Sequence, residues 1–353
     1  MFGSLSHGCA GLGWAGWWGG AAVIGGLLGW GGVCVCVCVC VDVDVDMCCG
    51  VRGGYNKSVM RQKLRAPATF SPPFTQLASM ACPDCFRGGK ATGSPKGVAE
   101  FLHGYNIYVA SPSIAAQANS TVILYTDAFG HLLPNNLLLA DALAQETGFT
   151  VLVPDIIPGG GMSPDILPLM DTFSSPETGM LGKAWALGKA MVHVIPFFVR
   201  ASPQSEACTR ATLGFARAVR GDVDQGAEGG KLGLAGYCWG GYQALHVAAR
   251  QHEVRVDAVF VAHPAKFEPV HALDAMEAGV KLSFAHAGQD MALSMAKVEK
   301  MKEGLEGGEG FELRVYEGCV HGFAVRATPG KEREADAADK ALRQAVGWFG
   351  KWL

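Results

Sequence analysis

Residues 232–241 read Leu-Gly-Leu-Ala-Gly-Tyr-Cys-Trp-Gly-Gly and place a cysteine between glycines in the pattern Gly-x-Cys-x-Gly. An apolar run of β type precedes Cys238 and a helical run follows it. A strand-to-helix turn this sharp strains its central residue and needs small neighbours, and Gly236 and Gly240 leave that room. The thiol then projects above the sheet at a helix N-terminus, which favours the nucleophilic thiolate.

An acid and a base follow the cysteine along the chain. A predicted strand and a Gly-containing loop lead to Asp290, and a second strand and a Gly turn lead to His321. Hydrolases with such a nucleophile elbow carry nucleophile, acid and base in this order. We expect His321 to take the thiol proton and Asp290 to orient its imidazole. The competing interpretation of Cys238 is a small buried apolar residue.

Two other histidines compete with His321 for the role of base. His263 ends an apolar strand and is expected to line the pocket as a substrate contact, but it precedes the acid in the chain. His286 lies four residues before Asp290, too early on its loop. The order of the residues therefore favours His321.

These motifs resemble those of the dienelactone hydrolase family, the carboxymethylenebutenolidase-like enzymes, in a form similar to fungal members. The resemblance covers about residues 80–353. It implies an α/β-hydrolase fold and a cysteine-dependent hydrolase of small esters or lactones that forms a thioester acyl-enzyme. The matching pieces are Gly-Tyr-Cys-Trp-Gly-Gly at 236–241, Gly-x-Asp at 288–290, Tyr-x-Gly-x-x-His-Gly-Phe at 316–323, Tyr-Thr-Asp-Ala-Phe-Gly at 125–130, Val-Leu-Val-Pro-Asp at 151–155 and Met-Ala-Cys-Pro-Asp-Cys at 80–85.

The resemblance also implies roles for four further residues. The backbone N–H groups of Trp239 and Ala128 are expected to form the oxyanion hole. Asp127 stands where the family has a glutamate that contacts the resting cysteine and tunes its ionisation, so the resemblance implies this tuning role for Asp127. Its alternative role is that of a turn or helix-cap residue. Arg326 lies five residues after His321, whereas the family's arginine for an anionic substrate lies four residues after the catalytic histidine.

The periodicity predicts a doubly wound, mostly parallel α/β sheet for residues 80–353. Residues 159–200 interrupt it with four prolines, which we interpret as an excursion over the carboxyl edge of the sheet that shapes an acyl pocket, or else as a surface loop. The predicted strands are 106–110, 121–126, 150–154, 231–235, 256–263, 281–286 and 311–316, and the predicted helices are 136–147, 240–250, 291–304 and 333–353.

The composition of the chain indicates which classes of molecule it is expected to bind. The chain has 353 residues, is 49% hydrophobic and carries a net charge of −3, which favours a small-molecule substrate over nucleic acid or a membrane. The five cysteines after residue 50 are scattered and odd in number, which predicts a reducing, cytoplasmic compartment. No metal-binding cluster or cofactor motif is recognisable, so no cofactor is expected. The Cys82-x-x-Cys85 pair could belong to a zinc or redox site, or to a plain surface segment.

Residues 1–79 differ from the rest. The first 41 residues hold twelve glycines and no Asp, Glu, Lys or Arg, and residues 33–41 alternate Val and Cys. Three interpretations stay open for this low-complexity leader: sequence upstream of a true start at Met80, a signal anchor or membrane segment, or a disordered tail.

One alternative function stands beside the hydrolase. Cys238 could be the redox-sensing or adduct-forming thiol of a protein that uses the same fold as a scaffold. A thioesterase is a third hypothesis for the function. The complete set of Cys238, Asp290 and His321 favours hydrolysis, since a sensor does not require the acid.

Overall fold

The computed structural model describes residues 14–18, 21–30, 33–40, 88–113, 119–226, 229–266, 268–305, 307–327 and 330–353. It divides the chain into residues 1–56 and 57–353. Within the first unit, strands β1 (Trp14–Trp18), β2 (Ala21–Trp30) and β3 (Val33–Cys40) form an antiparallel sheet. The Cys82-x-x-Cys85 pair and Met80 lie outside the described residues.

The second unit is built on an eight-stranded sheet of order β11-β10-β9-β8-β6-β7-β5-β4. Only β4 and β5 introduce antiparallel pairs, β4 with β5 and β5 with β7. The sheet is therefore mostly parallel, as the sequence predicted. The strands are β4 (Val98–Leu102), β5 (Tyr105–Ala110), β6 (Thr121–Tyr125), β7 (Thr150–Pro154), β8 (Leu232–Tyr237), β9 (Ala258–Ala262), β10 (Lys281–Gln289) and β11 (Phe311–Val320).

Helices cover the sheet in two groups. The helices are α1 (Pro134–Thr147), α2 (Ile166–Ser174), α3 (Met180–Ala201), α4 (Glu206–Gln225), α5 (Trp239–Ala248), α6 (Pro269–Glu277), α7 (Met295–Leu305) and α8 (Glu332–Trp352). Helices α1 and α8 pack together, and α4 to α7 pack in succession. Because both α5 and α8 contact β9, all of whose residues are buried, the two groups enclose the central strands from both faces.

All seven predicted strands and all four predicted helices are present, and the fold is the expected doubly wound α/β-hydrolase type. Local signals explain some of the boundaries. Pro134 begins α1, where a missing N–H is harmless, and Gly148 ends it with a left-handed φ of 76°. The strand β4 and the helices α2, α3, α4 and α6 were not predicted.

The excursion over residues 159–200 is helical, in contrast to the irregular segment that its prolines suggested. Pro168 lies in the first turn of α2, where no intrahelical N–H bond is needed. Pro196 lies inside α3, which continues through it to Ala201. A proline removes one helical hydrogen bond, and here the packing of α3 on α2 outweighs that loss.

The parallel register brings the predicted site residues to one edge of the sheet. Tyr125 at the end of β6 is level with Gly236 in β8, and Tyr237 is level with Ala262 in β9. The last residue of β10, Gln289, is level with Val320 at the end of β11. The segments that begin at residues 126, 238, 263, 290 and 321 therefore leave the sheet at the same edge, where α/β proteins bind ligands.

Candidate active site

Cys238 occupies a sharp turn between β8 and α5. Its φ of 51° and ψ of −111° lie in a region that residues other than glycine rarely adopt. The turn is held on both sides, because the Cys238 N–H donates to the Ala262 carbonyl at 3.2 Å and the Cys238 carbonyl accepts from Ala265 at 2.9 Å. Strain that the surrounding structure enforces in this way is typical of a functional site.

The two glycines of the elbow are needed for close packing. A Cβ on Gly240 would lie 2.1 Å from the Tyr125 carbonyl oxygen, and a Cβ on Gly236 would lie 2.6 Å from the Gly240 oxygen. The Gly240 N–H also donates to the Thr126 carbonyl at 2.9 Å. This contact ties the start of α5 to the segment after β6, which carries Asp127 and Ala128.

His321 and Asp290 form a buried pair. The Nδ1–H of His321 donates to the two Asp290 carboxylate oxygens at 3.0 and 2.9 Å, and both side chains are fully buried. The Asp290 carboxylate is fixed in turn by the backbone N–H groups of Ala292 at 2.8 Å and Leu293 at 3.1 Å. Since Nδ1 is used by Asp290, Nε2 is the nitrogen through which His321 can meet Cys238.

The charges of this group favour a protonated imidazole. Burial lowers the pKa of His321, but the charges of Asp290 and Cys238 and hydrogen bonds to both raise it, so that it stands well above its ordinary 6.5. Burial raises the pKa of Asp290, but His321 outweighs this effect and the pKa falls below its ordinary 3.8. An imidazolium held by the Asp290 carboxylate is the arrangement that these shifts support.

The predicted oxyanion donors lie beside the elbow. Trp239 is the first residue of α5, where a helix leaves its N–H groups without intrahelical acceptors. Its indole Nε1–H donates to the Ala201 carbonyl at 2.9 Å, and the Ala128 carbonyl accepts from the Met162 N–H at 2.8 Å. Within the described part of the chain, neither the Trp239 nor the Ala128 backbone N–H has a protein acceptor.

Asp127 and Arg326 form a second buried ion pair, which joins Asp127 Oδ2 to Arg326 Nη1. Asp127 Oδ1 accepts from the Phe129 N–H at 3.0 Å and from Asn136 Nδ2 at 2.9 Å. Burial raises the pKa of Asp127, the Arg326 guanidinium offsets part of the rise, and the nearby Cys238 adds to it. Asp127 thus closes a turn around Ala128 next to the cysteine, and the Arg326 guanidinium already binds a carboxylate of the protein.

His263 packs directly on His321, with ring centroids 4.9 Å apart and an edge-to-face angle of 64°. It is fully buried, its φ is 37°, and neither ring nitrogen has a hydrogen-bond partner among the described residues. Burial lowers its pKa well below 6.5, and the charges of His321 and Arg326 lower it further. His263 is therefore a neutral imidazole held in a strained backbone beside the catalytic candidate.

A sequence model of the dienelactone hydrolase family matches residues 106–353. This chain belongs to the dienelactone hydrolase family. The family assignment that the motifs suggested is thus confirmed, and with it the prediction that the chain is a hydrolase of ester or lactone bonds.

Relatives of this dienelactone hydrolase family member include fungal and animal proteins. Hydrolase tropI of Talaromyces stipitatus is 27% identical over 282 residues, which cover 78% of this chain and 98% of the relative. Dienlactone hydrolase 1 of Gibberella moniliformis is 25% identical, covering 78% of this chain and 96% of its own length. The human carboxymethylenebutenolidase homolog is 22% identical, covering 67% and 84%.

A solved structure supports the fold. A protein described as a dienelactone hydrolase from Klebsiella pneumoniae superposes with a TM-score of 0.51 at 19% identity, covering 72% of this chain and 99% of its own. At this level of identity the likeness concerns the fold of this dienelactone hydrolase family member and not its substrate.

Two further polar residues lie near the predicted site: Asn136, which carried no recognisable sequence signal, and His286, which the sequence order disfavoured as the base. Asn136 donates from Nδ2 to Asp127 at 2.9 Å and to the Gly130 carbonyl at 2.9 Å, and it is fully buried near the start of α1. His286 is buried near His321 and Asp290, and neither of its ring nitrogens has a partner among the described residues. Within the same residues, no group of three or more His, Cys, Asp or Glu side chains is arranged to hold a metal ion.

Proposed function

We propose that this dienelactone hydrolase family member cleaves small esters or lactones with Cys238 as nucleophile, His321 as acid and base, and Asp290 as the group that orients His321. The observation that supports this proposal most strongly is the bidentate contact from His321 Nδ1 to Asp290, with Cys238 acting on the same imidazole. A base held by an orienting acid, together with a thiol nucleophile, is the set of groups that acyl transfer requires.

The first half of the reaction forms a thioester. The Cys238 sulfur attacks the carbonyl carbon, and the carbonyl oxygen takes the negative charge between the N–H groups of Trp239 and Ala128. The bond to the leaving oxygen then breaks, and the imidazolium of His321 supplies the proton that converts this oxygen to an alcohol or enol. The acyl group stays on Cys238.

The second half releases the acid. A water molecule loses a proton to the now neutral His321 and attacks the thioester carbonyl. The carbon–sulfur bond breaks, the carboxylic acid leaves, and the thiolate–imidazolium pair is restored. No oxidant, metal or cofactor enters this sequence.

The enclosure of the site favours small substrates. Only 3% of Cys238 and 1% of His321 is exposed. Within this enclosure we propose that His263 contacts the substrate, because its ring nitrogens are neutral and have no partner among the described residues.

We propose a positioning role for Asp127 and Arg326. Together they hold the turn that presents the Ala128 N–H, and a carboxylate on the substrate has to compete with Asp127 for the Arg326 guanidinium. Because Arg326 is already paired with Asp127, it supports an anionic substrate less strongly than Cys238 supports ester cleavage.

A panel of aryl esters and enol-lactones tests the proposal. We expect hydrolysis by the wild type and a loss of at least about a thousandfold in Cys238→Ala. Cys208→Ala is the matched control, because Cys208 is also a buried thiol but lies on α4 outside the site. Activity that survives in Cys238→Ala contradicts the proposal. A wild type that forms adducts at Cys238 without hydrolysing any member of the panel favours the thiol-sensor function instead.

A further inference from the structure

Helix α3 is apolar on the side that faces solvent as well as on the side that faces the core. Its buried side chains are Ala186, Ala190, Val194, Phe197 and Ala201. Its exposed apolar side chains include Leu181, Trp185, Val192, Ile195 and Val199, which we call the outer face. A helix that is apolar all round is normally covered on all sides.

The outer face extends from Leu181 to Val199, with Gly188 between Trp185 and Val192. Leu181, Val192 and Val199 follow one another at spacings that place them on one side of an α-helix, and they are 89%, 68% and 75% exposed. Trp185 and Ile195 lie beside this row and are 59% and 42% exposed. A contiguous exposed row of large apolar side chains marks an interaction surface, whereas scattered ones do not.

The charges of α3 are all positive. The helix contains Lys183, Lys189 and Arg200 and no Asp or Glu. Lys189 is exposed, with its ammonium 6.0 Å from the centre of the Trp185 ring. Arg200 is half-buried and donates to the carbonyls of Pro158 at 3.1 Å and Gly160 at 3.1 Å. Lys189 is thus the exposed cation that an external partner can meet. Lys183 is half-buried and lies on the side of the helix that carries Ala190 and Val194.

We propose that the outer face of α3 docks on an anionic lipid surface. Apolar side chains that include a tryptophan, with lysines and no acids, are the composition that binds such a surface. The positive charge of α3 complements anionic headgroups locally, although the whole chain has a net charge of −3. None of the described helices is both long and apolar enough to cross a membrane, so α3 lies along the surface.

A second copy of the chain fits the outer face less well. Two α3 helices that pack about a twofold axis present the same residues to each other. Lys189 lies beside the midpoint of the helix, so the two copies of Lys189 would meet. Like charges in contact oppose such a dimer, whereas anionic headgroups neutralise them.

Docking on α3 places the catalytic edge close to the lipid. The Ala201 carbonyl at the end of α3 accepts the Trp239 indole N–H, and Trp239 follows the nucleophile. Arg200 donates to the Gly160 carbonyl in the loop that follows β7. Met162 of the same loop donates its backbone N–H to the Ala128 carbonyl. Apolar esters that partition into the surface are then concentrated at this edge.

Vesicle flotation with the full-length chain tests the proposal. We expect the wild type to float with vesicles of phosphatidylcholine and phosphatidylglycerol, and Val192→Glu/Val199→Glu to bind at least about tenfold more weakly. Phe101→Glu is the matched control, because Phe101 is 72% exposed on β4 and its variant is expected to bind like the wild type. Hydrolysis of a water-soluble aryl ester at wild-type rate shows that each variant is folded.

Two further measurements separate the outcomes. Brominated acyl chains are expected to quench the fluorescence of the wild type more than that of Trp185→Phe, and Lys189→Gln is expected to weaken binding. The proposal is overturned by equal binding of wild type and Val192→Glu/Val199→Glu, by equal binding to vesicles without phosphatidylglycerol, or by no binding. It is also overturned by a lipid-free dimer that the glutamates dissociate.

Discussion

At the residue scale, the protonation of His321 depends mainly on Asp290. The carboxylate contacts Nδ1 with both oxygens and raises the pKa of the imidazole against the effect of burial. The charge of Cys238 acts on the same imidazole, and the elbow fixes the backbone of this cysteine. The reactive state of the thiol is therefore expected to depend on a residue that never touches the substrate.

Replacing Asp290 by Asn should reveal this dependence. We expect kcat to fall by about 10⁴-fold, because the wrong tautomer of His321 is stabilised. The pH profile of Cys238 alkylation should move to higher pH, because an imidazolium no longer stabilises the thiolate. Stopped-flow alkylation of wild type and variant checks this, and coincident profiles would mean that Asp290 has no part in ionising the thiol.

The pH dependence of stability follows from the same pair. The folded-state pKa of His321 is raised, so its contribution is complete below about 6.5 and disappears as pH rises through the folded value. The pKa of Asp290 is lowered, so its contribution is complete above about 3.8 and disappears as pH falls through its folded value. The Tm difference between wild type and Asp290→Asn should be largest between these limits. A difference that grows steadily toward alkaline pH would contradict the assignment.

His263 is expected to act through its ring nitrogens. His263→Phe should lower kcat/KM by about tenfold without lowering Tm. The substitution removes no hydrogen bond to a described residue, because neither ring nitrogen of His263 has such a partner. His263→Gln retains a donor and an acceptor and should restore part of the activity. Equal kcat/KM for all three proteins would leave His263 a purely structural role.

The residue types of the site and the pairing of Asp290 with His321 were predictable, and the pairing of Asp127 with Arg326 was not. Gly-x-Cys-x-Gly and the chain order of Asp290 and His321 identify candidates because acyl transfer restricts which residues can serve. The ion pair of Asp127 with Arg326 spans 199 positions in the chain and leaves no periodic signal. Asn136 likewise donates to Asp127. The sequence of α1 predicts a helix, but it does not single out Asn136 from the other residues of that helix.

At the scale of elements, the elbow works because β6, β8 and α5 approach closely at Gly240. Gly240→Ala would put a Cβ 2.1 Å from the Tyr125 oxygen, and backbone atoms cannot move aside without separating strand from helix. We expect the free energy of unfolding to fall by about 3 kcal/mol. Gly214→Ala in α4 has open space around its Cβ and should raise the free energy of unfolding by about 1 kcal/mol.

Chemical denaturation of both glycine variants measures these changes. Equal stability of Gly240→Ala and the wild type would show that the close approach at the elbow is not required for folding.

The sequence predicted strands better than helices, for a physical reason. Buried parallel strands are continuous apolar runs, and that signal depends only on burial. Helices α2 and α3 contain Pro168 and Pro196, which argue locally against helix, and tertiary packing decides the outcome. The sequence of α3 also lacks a clear 3.6-residue alternation of apolar and polar residues, because apolar side chains occupy both sides of the helix.

At the scale of the whole molecule, Cys238 and His321 are enclosed, so small reagents should reach Cys238 more readily than large ones. We expect iodoacetamide to alkylate Cys238 at least about tenfold faster than a fluorescein-linked iodoacetamide does, after each rate is divided by that for free cysteine. Mass spectrometry of peptides measures both rates. Equal ratios for the two reagents would mean that the site is open in solution.

The proposed mechanism requires Cys238 to carry the acyl group during turnover. The most direct measurement is to quench the reaction of a slowly hydrolysed aryl ester with acid and to map the acyl mass by peptide mass spectrometry. We predict an acyl adduct on Cys238 that hydroxylamine removes and that Cys238→Ala lacks. Turnover with no adduct on Cys238, or with the acyl group on another residue, would contradict the account.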